Sequence, residues 1–337
     1  MTATAPAFWQ RKGWRAIALL PLSALFLLLS SLRRLAYRAG LLASQSAPVP
    51  VVVVGNVAVG GSGKTPAVIW LAEQLTRHGM TPGIISRGYG GQGAGVRCLS
   101  PDASAADVGD EPVLMARRTG CPVAVGQDRP AVARALCAAH PAVDVIISDD
   151  GLQHYALGRS VEIVVLDERV LGNGWCLPAG PLREPVTRIG AADLVLLHSP
   201  VSAALSAQLG NVPQAPMTLA GDCFVSLGGQ AASPIEDFAG RTVHAVAGIG
   251  RPQRFFDQLA GMGLTVIAHP FPDHHAFTPA DLAFDDGLPT ILTEKDAVKC
   301  APFALQNTWV FPVRASIPDA ALQPILETLS RHGRQAA

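Results

Sequence analysis

The stretch "VVVVGNVAVGGSGKTP", residues 51–66, ends in six residues of the kinds that hold a polyphosphate: Gly60, Gly61, Ser62, Gly63, Lys64 and Thr65. Glycines let main-chain N–H groups curl around phosphate oxygens, and the start of a following helix adds its positive dipole end. In such a loop Lys64 reaches the β- and γ-phosphates and Thr65 offers its hydroxyl to Mg²⁺. The usual pattern opens on glycine where this chain has Ala58, and Gly60, Gly61 and Gly63 supply the flexibility. Partitioning ATPases with a related loop carry lysine where Val59 stands. "TEKD", residues 293–296, misses the [NT]-K-x-D spacing that reads guanine. ATP is therefore expected rather than GTP.

Carboxylates and histidines form the other reactive groups. "VIISDDGLQH" sets Asp149 and Asp150 at the end of a buried strand, where a Walker-B carboxylate faces Mg²⁺, with His154 a few residues on. Adjacent carboxylates repel unless a cation or donor compensates them. "VGDEP" supplies Asp110 and Glu111 just before a helix, and "FPDHHAF" supplies Asp273, His274 and His275. An Asp–His neighbourhood can serve as a general base. Read alone, the acidic pair is equally an N-cap and the histidine pair equally a surface loop.

Positioning these groups requires a doubly wound α/β domain, because strands alternate with helical segments of ten or so residues along the chain. "VPVVVVGN", "TPGIIS", "CPVAVG", "VDVIISDD", "VEIVVLDE" and "ADLVLLHS" read as strands; "KTPAVIWLAEQLTRHG", "DEPVLMARRTG" and "RPAVARALCAAH" read as helices. Short connections then bring the reactive groups to the carboxyl ends of the strands. Periodicity weakens over 199–230, a connector. "RTVHAVAGIG", "RPQRFFDQLAGMG" and "LTVIAHPF" form a second βαβ unit, followed by strand candidates in "LPTILTEKDAVK" and "TWVFPVRASI". The expected organisation is an N-terminal segment at 1–48, a P-loop domain with its connector at 49–230, and a smaller α/β lobe at 231–337.

The 337 residues carry 26 basic and 26 acidic side chains, so no global field points to nucleic acid. Six cysteines without C-x-x-C spacing read as buried thiols rather than a disulfide framework or zinc site. "AIALLPLSALFLLLSSL", residues 16–32, lies at the low end of the roughly 17–25 residues of a spanning helix. Arg11, Lys12 and Arg15 precede it; Arg33, Arg34 and Arg38 follow it, where a signal peptidase would want small residues. A membrane-associated helix, spanning or interfacial, is expected.

Seven stretches, "GNVAVGGSGKTP", "SRGYGG", "VGDEP", "SDDGLQH", "PAGPLREP", "FPDHHAF" and "LTEKDAVK", resemble in order the tetraacyldisaccharide 4′-kinases of lipid A biosynthesis. The resemblance implies a P-loop NTPase-like, mainly parallel sheet and transfer of the ATP γ-phosphoryl to the 4′-hydroxyl of an acylated disaccharide 1-phosphate, giving lipid IVA. It implies Mg²⁺ and the cytoplasmic face of the bacterial inner membrane, with no obligate protein partner evident. Carried over by position, Lys64 and Thr65 hold phosphates and Mg²⁺, Asp149 and Asp150 form the Walker-B pair, and Glu111 supports the metal. Asp110 falls on the family's catalytic base with His274 as its partner. Asn56, Arg87, Tyr89, Gln153, His154 and Arg183 fall on substrate-side motifs. The rival from another class is a membrane-tethered P-loop ATPase that switches a protein partner.

Overall fold

The computed structural model describes residues 6 to 335 except 94 and 304, so the outer ends of the first and last expected segments lie outside the described residues. Helices α1 (Trp14–Ala18) and α2 (Leu20–Arg38) come first. Pro21 sits in the first turn of α2, where its missing N–H is no loss, and the helix runs past the apolar stretch as far as Arg38. Ser23 Oγ donates to the Cys176 carbonyl at 2.8 Å, and Phe26 and Leu27 pack on the body. Leu22, Leu25, Leu28, Leu29, Leu32 and Leu35, spaced along the opposite stripe, are each 51–60% exposed.

The central sheet has eight strands: β1 (Val51–Gly55), β2 (Pro82–Ser86), β3 (Arg97–Cys98), β4 (Val123–Val125), β5 (Val145–Asp149), β6 (Val161–Leu166), β7 (Leu194–Leu197) and β8 (Gln214–Pro216). Their order is β3-β4-β2-β5-β1-β6-β7-β8, parallel except for β3. Strands β1, β2, β5 and β6 are buried along their whole length, as interior strands of a parallel sheet covered on both faces are. Helices α3 (Lys64–Arg77), α4 (Ala105–Val108), α5 (Asp110–Thr119), α6 (Arg129–Ala139) and α7 (Ala203–Leu209) lie between them in the chain. The chain crosses β1 on its way from β5 to β6, so a crevice opens at the carboxyl ends of β1 and β5.

After β9 (Thr218–Ala220) comes a second sheet of β10 (Cys223–Ser226), β11 (Ala232–Pro234), β12 (Thr242–Ala247), β13 (Thr265–Pro270), β14 (Thr290–Thr293) and β15 (Thr308–Phe311). Helices α8 (Pro252–Gly261) and α9 (Glu294–Cys300) belong to this lobe, whose core holds Phe224, Phe238, Phe255, Phe256 and Phe311. Two features differ from the sequence reading. The second sheet begins at Cys223, ahead of residue 231, because the β10–β11 hairpin pairs with β15. The chain then leaves the lobe again: β16 (Arg314–Ser316) pairs antiparallel with β9, and α10 (Gln323–Gln335) sets Ile325 and Leu329 into the core beneath Val52 and Leu71 of the first lobe. "LTEKDAVK" is a short strand that breaks into α9, because the Thr293 side chain caps the Asp296 N–H.

Candidate active site

A cleft of about 1350 Å³ opens between the lobes at the switch of strand order. Its floor is the loop from β1 to α3. Gly63, with φ of +92°, has no room for a side chain: a Cβ there would lie 2.9 Å from the His198 ring. Asn56 Nδ2 donates to Ser62 Oγ at 3.0 Å across the loop. "PAGPLREP" braces the loop from outside, with Val59 N–H donating to Pro181 O at 2.9 Å and Arg183 N–H donating to Val57 O at 2.7 Å. His198, at the end of β7, completes the support. A carbonyl only accepts, so Nδ1 donates to Ser62 O at 2.9 Å and Nε2 accepts from Arg254 Nη2 of α8 at 3.2 Å.

The carboxylates after β5 are held differently from one another. Asp150 is clamped by Lys64 Nζ at 3.6 Å and Arg183 Nη1 at 2.8 Å. Burial pushes its carboxyl up, but Lys64 and Arg183 outweigh that and hold it well below the usual carboxylate range. Asp149 is 2% exposed; Ser86 Oγ donates to its Oδ2 at 2.8 Å, while Oδ1 has no hydrogen-bond partner among the described residues. Burial, then Glu111 and Asp150, push the Asp149 carboxyl up to about 6 against the pull of Lys64. Asp150 also has a φ of +47°, a strained value for a residue with a side chain.

Facing these, His274 Nδ1 lies 3.1 Å from Asp110 Oδ2 at the start of α5. His274 too has a positive φ, +58°, and its N–H is held by Gly248 O and Asp273 Oδ1. Lys295, from α9, donates to Glu111 Oε1 at 3.0 Å and to Asp273 Oδ1 at 3.4 Å, and stands 3.3 Å from His274 Nε2. A carboxylate only accepts and an ammonium only donates, so the His274 proton resides on Nδ1 and the Nε2 lone pair faces Lys295. Asp110 is 4% exposed and sits behind His274, which lines the cleft. Burial raises the Asp110 carboxyl, but His274, Lys295 and Lys299 together bring it below its ordinary value. His275 turns away to Asp281 at 3.3 Å.

Lys64, Thr65, Arg87, Tyr89, Glu111, Asp149, Asp150, Gln153, His154, Arg183 and His274 all line the cleft. The Tyr89 ring lies against that of His274, centroids 4.9 Å apart and planes tilted by 59°. Burial, reinforced by Arg129, pushes His154 down to about 4, so it is neutral at physiological pH. Asn56 departs from the substrate-side expectation: it is 2% exposed and serves the loop. Glu111, expected at a metal, is engaged by Lys295. Among the described residues no three His, Cys, Asp or Glu side chains converge enough to hold an ion unaided. Sequence reading passed over Lys295, Lys299, Ser86, Arg254 and His198. Of these, Ser86 and His198 carry a readable signal, their places at the carboxyl ends of strands.

A family model described as tetraacyldisaccharide-1-P 4′-kinase matches residues 15–330. The chain is 57% identical over 337 residues to a tetraacyldisaccharide 4′-kinase of Aromatoleum aromaticum, covering 100% of both. It is 57% identical over 335 residues to one from Azoarcus sp., covering 99% of this chain and 97% of the other. A crystal structure of LpxK from Aquifex aeolicus in complex with ATP matches with a TM-score of 0.80 at 29% identity, over 94% of this chain and 98% of that one.

Proposed function

The chain belongs to the tetraacyldisaccharide-1-P 4′-kinase family, and on that premise we propose how its cleft carries the reaction. The protein is an ATP-dependent kinase that phosphorylates the 4′-hydroxyl of tetraacyldisaccharide 1-phosphate in lipid A biosynthesis. The observation that carries our assignment of roles is a single cleft with Lys64 and its glycine loop on one wall and the His274–Asp110 pair on the other.

In this reading the loop amides and Lys64 hold the β- and γ-phosphates, and Lys64 leaves Asp150 for the nucleotide. Thr65 and the unpartnered Oδ1 of Asp149 fit a divalent cation, which when bound neutralises charge on the moving phosphoryl group. Mg²⁺ is held through one or two carboxylates together with substrate phosphates, and Asp149 with Thr65 would supply the protein's share. Arg183, released from Asp150 in the same exchange, offers a planar fork to phosphate oxygens.

A sugar hydroxyl is a poor nucleophile, so its proton must be taken as the P–O bond forms. Here the His274–Asp110 pair accepts it as a unit: His274 borders the cleft, and Asp110 holds Nδ1–H and balances the charge. Arg87 and Tyr89 border the acceptor side. Because the substrate carries acyl chains, α2 lies in the membrane interface along the body with its leucine stripe in the bilayer, and the cleft opens beside it at the cytoplasmic face. Phe26, Ser30 and Arg33 of α2 border that cleft.

Incubating the chain with labelled ATP, Mg²⁺ and the acylated disaccharide 1-phosphate should yield one labelled lipid. His274→Gln should slow labelling by about 10²-fold or more while ATP binding persists. An undiminished product would remove the pair from the chemistry.

A further inference from the structure

A second cavity, of about 360 Å³, lies at the foot of α2, partitioned from the main cleft by Tyr155. The charged groups facing it are Arg34 and Arg38 of α2, Arg159 and Arg188 of the body, and the carboxylates Glu162 and Asp193. Two of the four arginines are already matched. Arg159 donates to Glu162 at 2.8 Å and to the carbonyls of Leu152 and His154. Arg188 donates from Nη2 to both Glu162 oxygens, at 2.8 and 2.6 Å, but its Nη1 has no hydrogen-bond partner among the described residues although the side chain is buried, the residue 5% exposed. Asp193 is turned to the Glu162 backbone N–H at 2.7 Å. Arg34 and Arg38, one turn apart, have no ion-pair partner among the described residues. A buried guanidinium nitrogen without an acceptor and two unpaired arginines beside it constitute a demand for an anion.

We propose that this cavity holds the headgroup phosphate of an anionic phospholipid of the bilayer in which α2 rests. The inference depends on the interfacial reading of α2 given above. The leucine stripe faces outward on α2 while Arg34 and Arg38 border the cavity against the body, so the two arginines stand at the depth of lipid phosphates when the stripe is in hydrocarbon. The cavity's size suits a phosphodiester headgroup, and a tetraacylated disaccharide does not fit it. The ligand would tie the end of α2 to the body and hold the mouth of the main cleft against the membrane surface.

The full chain is sedimented with phosphatidylcholine vesicles, with and without phosphatidylglycerol, as parent, Arg34→Gln/Arg38→Gln, and Arg11→Gln/Arg15→Gln. The last pair is exposed and removes the same charge elsewhere on the N-terminal segment. Phosphatidylglycerol should tighten parent binding, and Arg34→Gln/Arg38→Gln should erase about tenfold more of that gain than the control pair, the value of one charge-assisted contact. Equal losses in both variants mean general surface attraction and overturn the proposal. So does a parent that gains nothing from phosphatidylglycerol, or one whose cavity binds inorganic phosphate at equal ionic strength without favouring the lipid. An Arg34→Gln/Arg38→Gln enzyme whose KM rises by the same factor in neutral detergent micelles would assign the cavity to the substrate's own phosphate instead. Failure to bind phosphatidylcholine vesicles overturns the interfacial reading of α2 itself, a distinct result.

Discussion

His274 Nδ1 and Asp110 Oδ2 stand 3.1 Å apart although they are 164 residues distant and come from different lobes. The second lobe thus supplies one half of the pair proposed to accept the proton, and the lobe with the glycine loop supplies the other.

Residues that act as one unit lose activity together. Asp110→Asn and His274→Gln should each lower kcat by about 10²-fold or more, and the double variant should be little worse than either. Steady-state kinetics with a separate ATP-binding measurement checks this. Multiplicative losses, or an equal loss of ATP affinity, would assign the two residues to independent tasks.

Asp149 gives a stability prediction with a definite sign. Its carboxyl is pushed up to about 6 in the folded protein. The unfolded chain therefore releases that proton first, and the native state loses stability as pH rises from about 4 through about 6. In chelator and without ATP, Asp149→Asn should melt higher than the parent near neutral pH, by on the order of 1–2 kcal/mol, and show little gain below pH ~4. Its turnover should nevertheless fall by about 10²-fold or more. Thermal melts across pH decide it; a variant less stable at neutral pH would mean the burial penalty is already met in the parent.

Lys295 is the ammonium shared by Glu111, Asp273 and His274. It also helps hold Asp110 below its ordinary value, against burial. Lys295→Met should raise the Asp110 value, moving the acid limb of kcat/KM to higher pH and reducing kcat by about tenfold. Lys295→Arg, which keeps the charge, should restore most of the limb's position. A pH–rate profile with an unmoved limb would leave Lys295 with packing alone.

Leu28 and Leu32 are both more than half exposed on the outward stripe of α2. Leu28→Glu/Leu32→Glu should leave activity on detergent-dispersed substrate within about twofold and reduce activity on vesicle-embedded substrate by about tenfold or more. Equal activity in both settings would take α2 out of substrate access. Substitution is a sharper test than removing the helix, because Ser23, Phe26 and Leu27 pack against the body.

Local signals made the nucleotide half readable. The valine run, the glycine loop and Asp149–Asp150 sit within or beside one strand each, so periodicity and residue type suffice to place them. Asn56 was misplaced because its burial depends on where Ser62 folds back, which spacing does not give. Lys295 and Arg254 escaped because their partners are Glu111 and Asp167 in the other lobe, and contacts at such separations leave no periodic trace. The return of α10 to the first core was hidden for the same reason. The start of α9 was readable in retrospect, since threonine three residues before aspartate is a helix-start pattern.

The pairing of Thr218–Ala220 with Arg314–Ser316 has a mechanical consequence. Both passages of the chain between the lobes run side by side in one hydrogen-bonded ribbon. The ribbon couples the two passages to each other, so any displacement of the second lobe against the first would carry His274 and Lys295 together. Clipping the chain after β15 would therefore cost the first lobe its last helix and the second lobe one of its two tethers, in one cut.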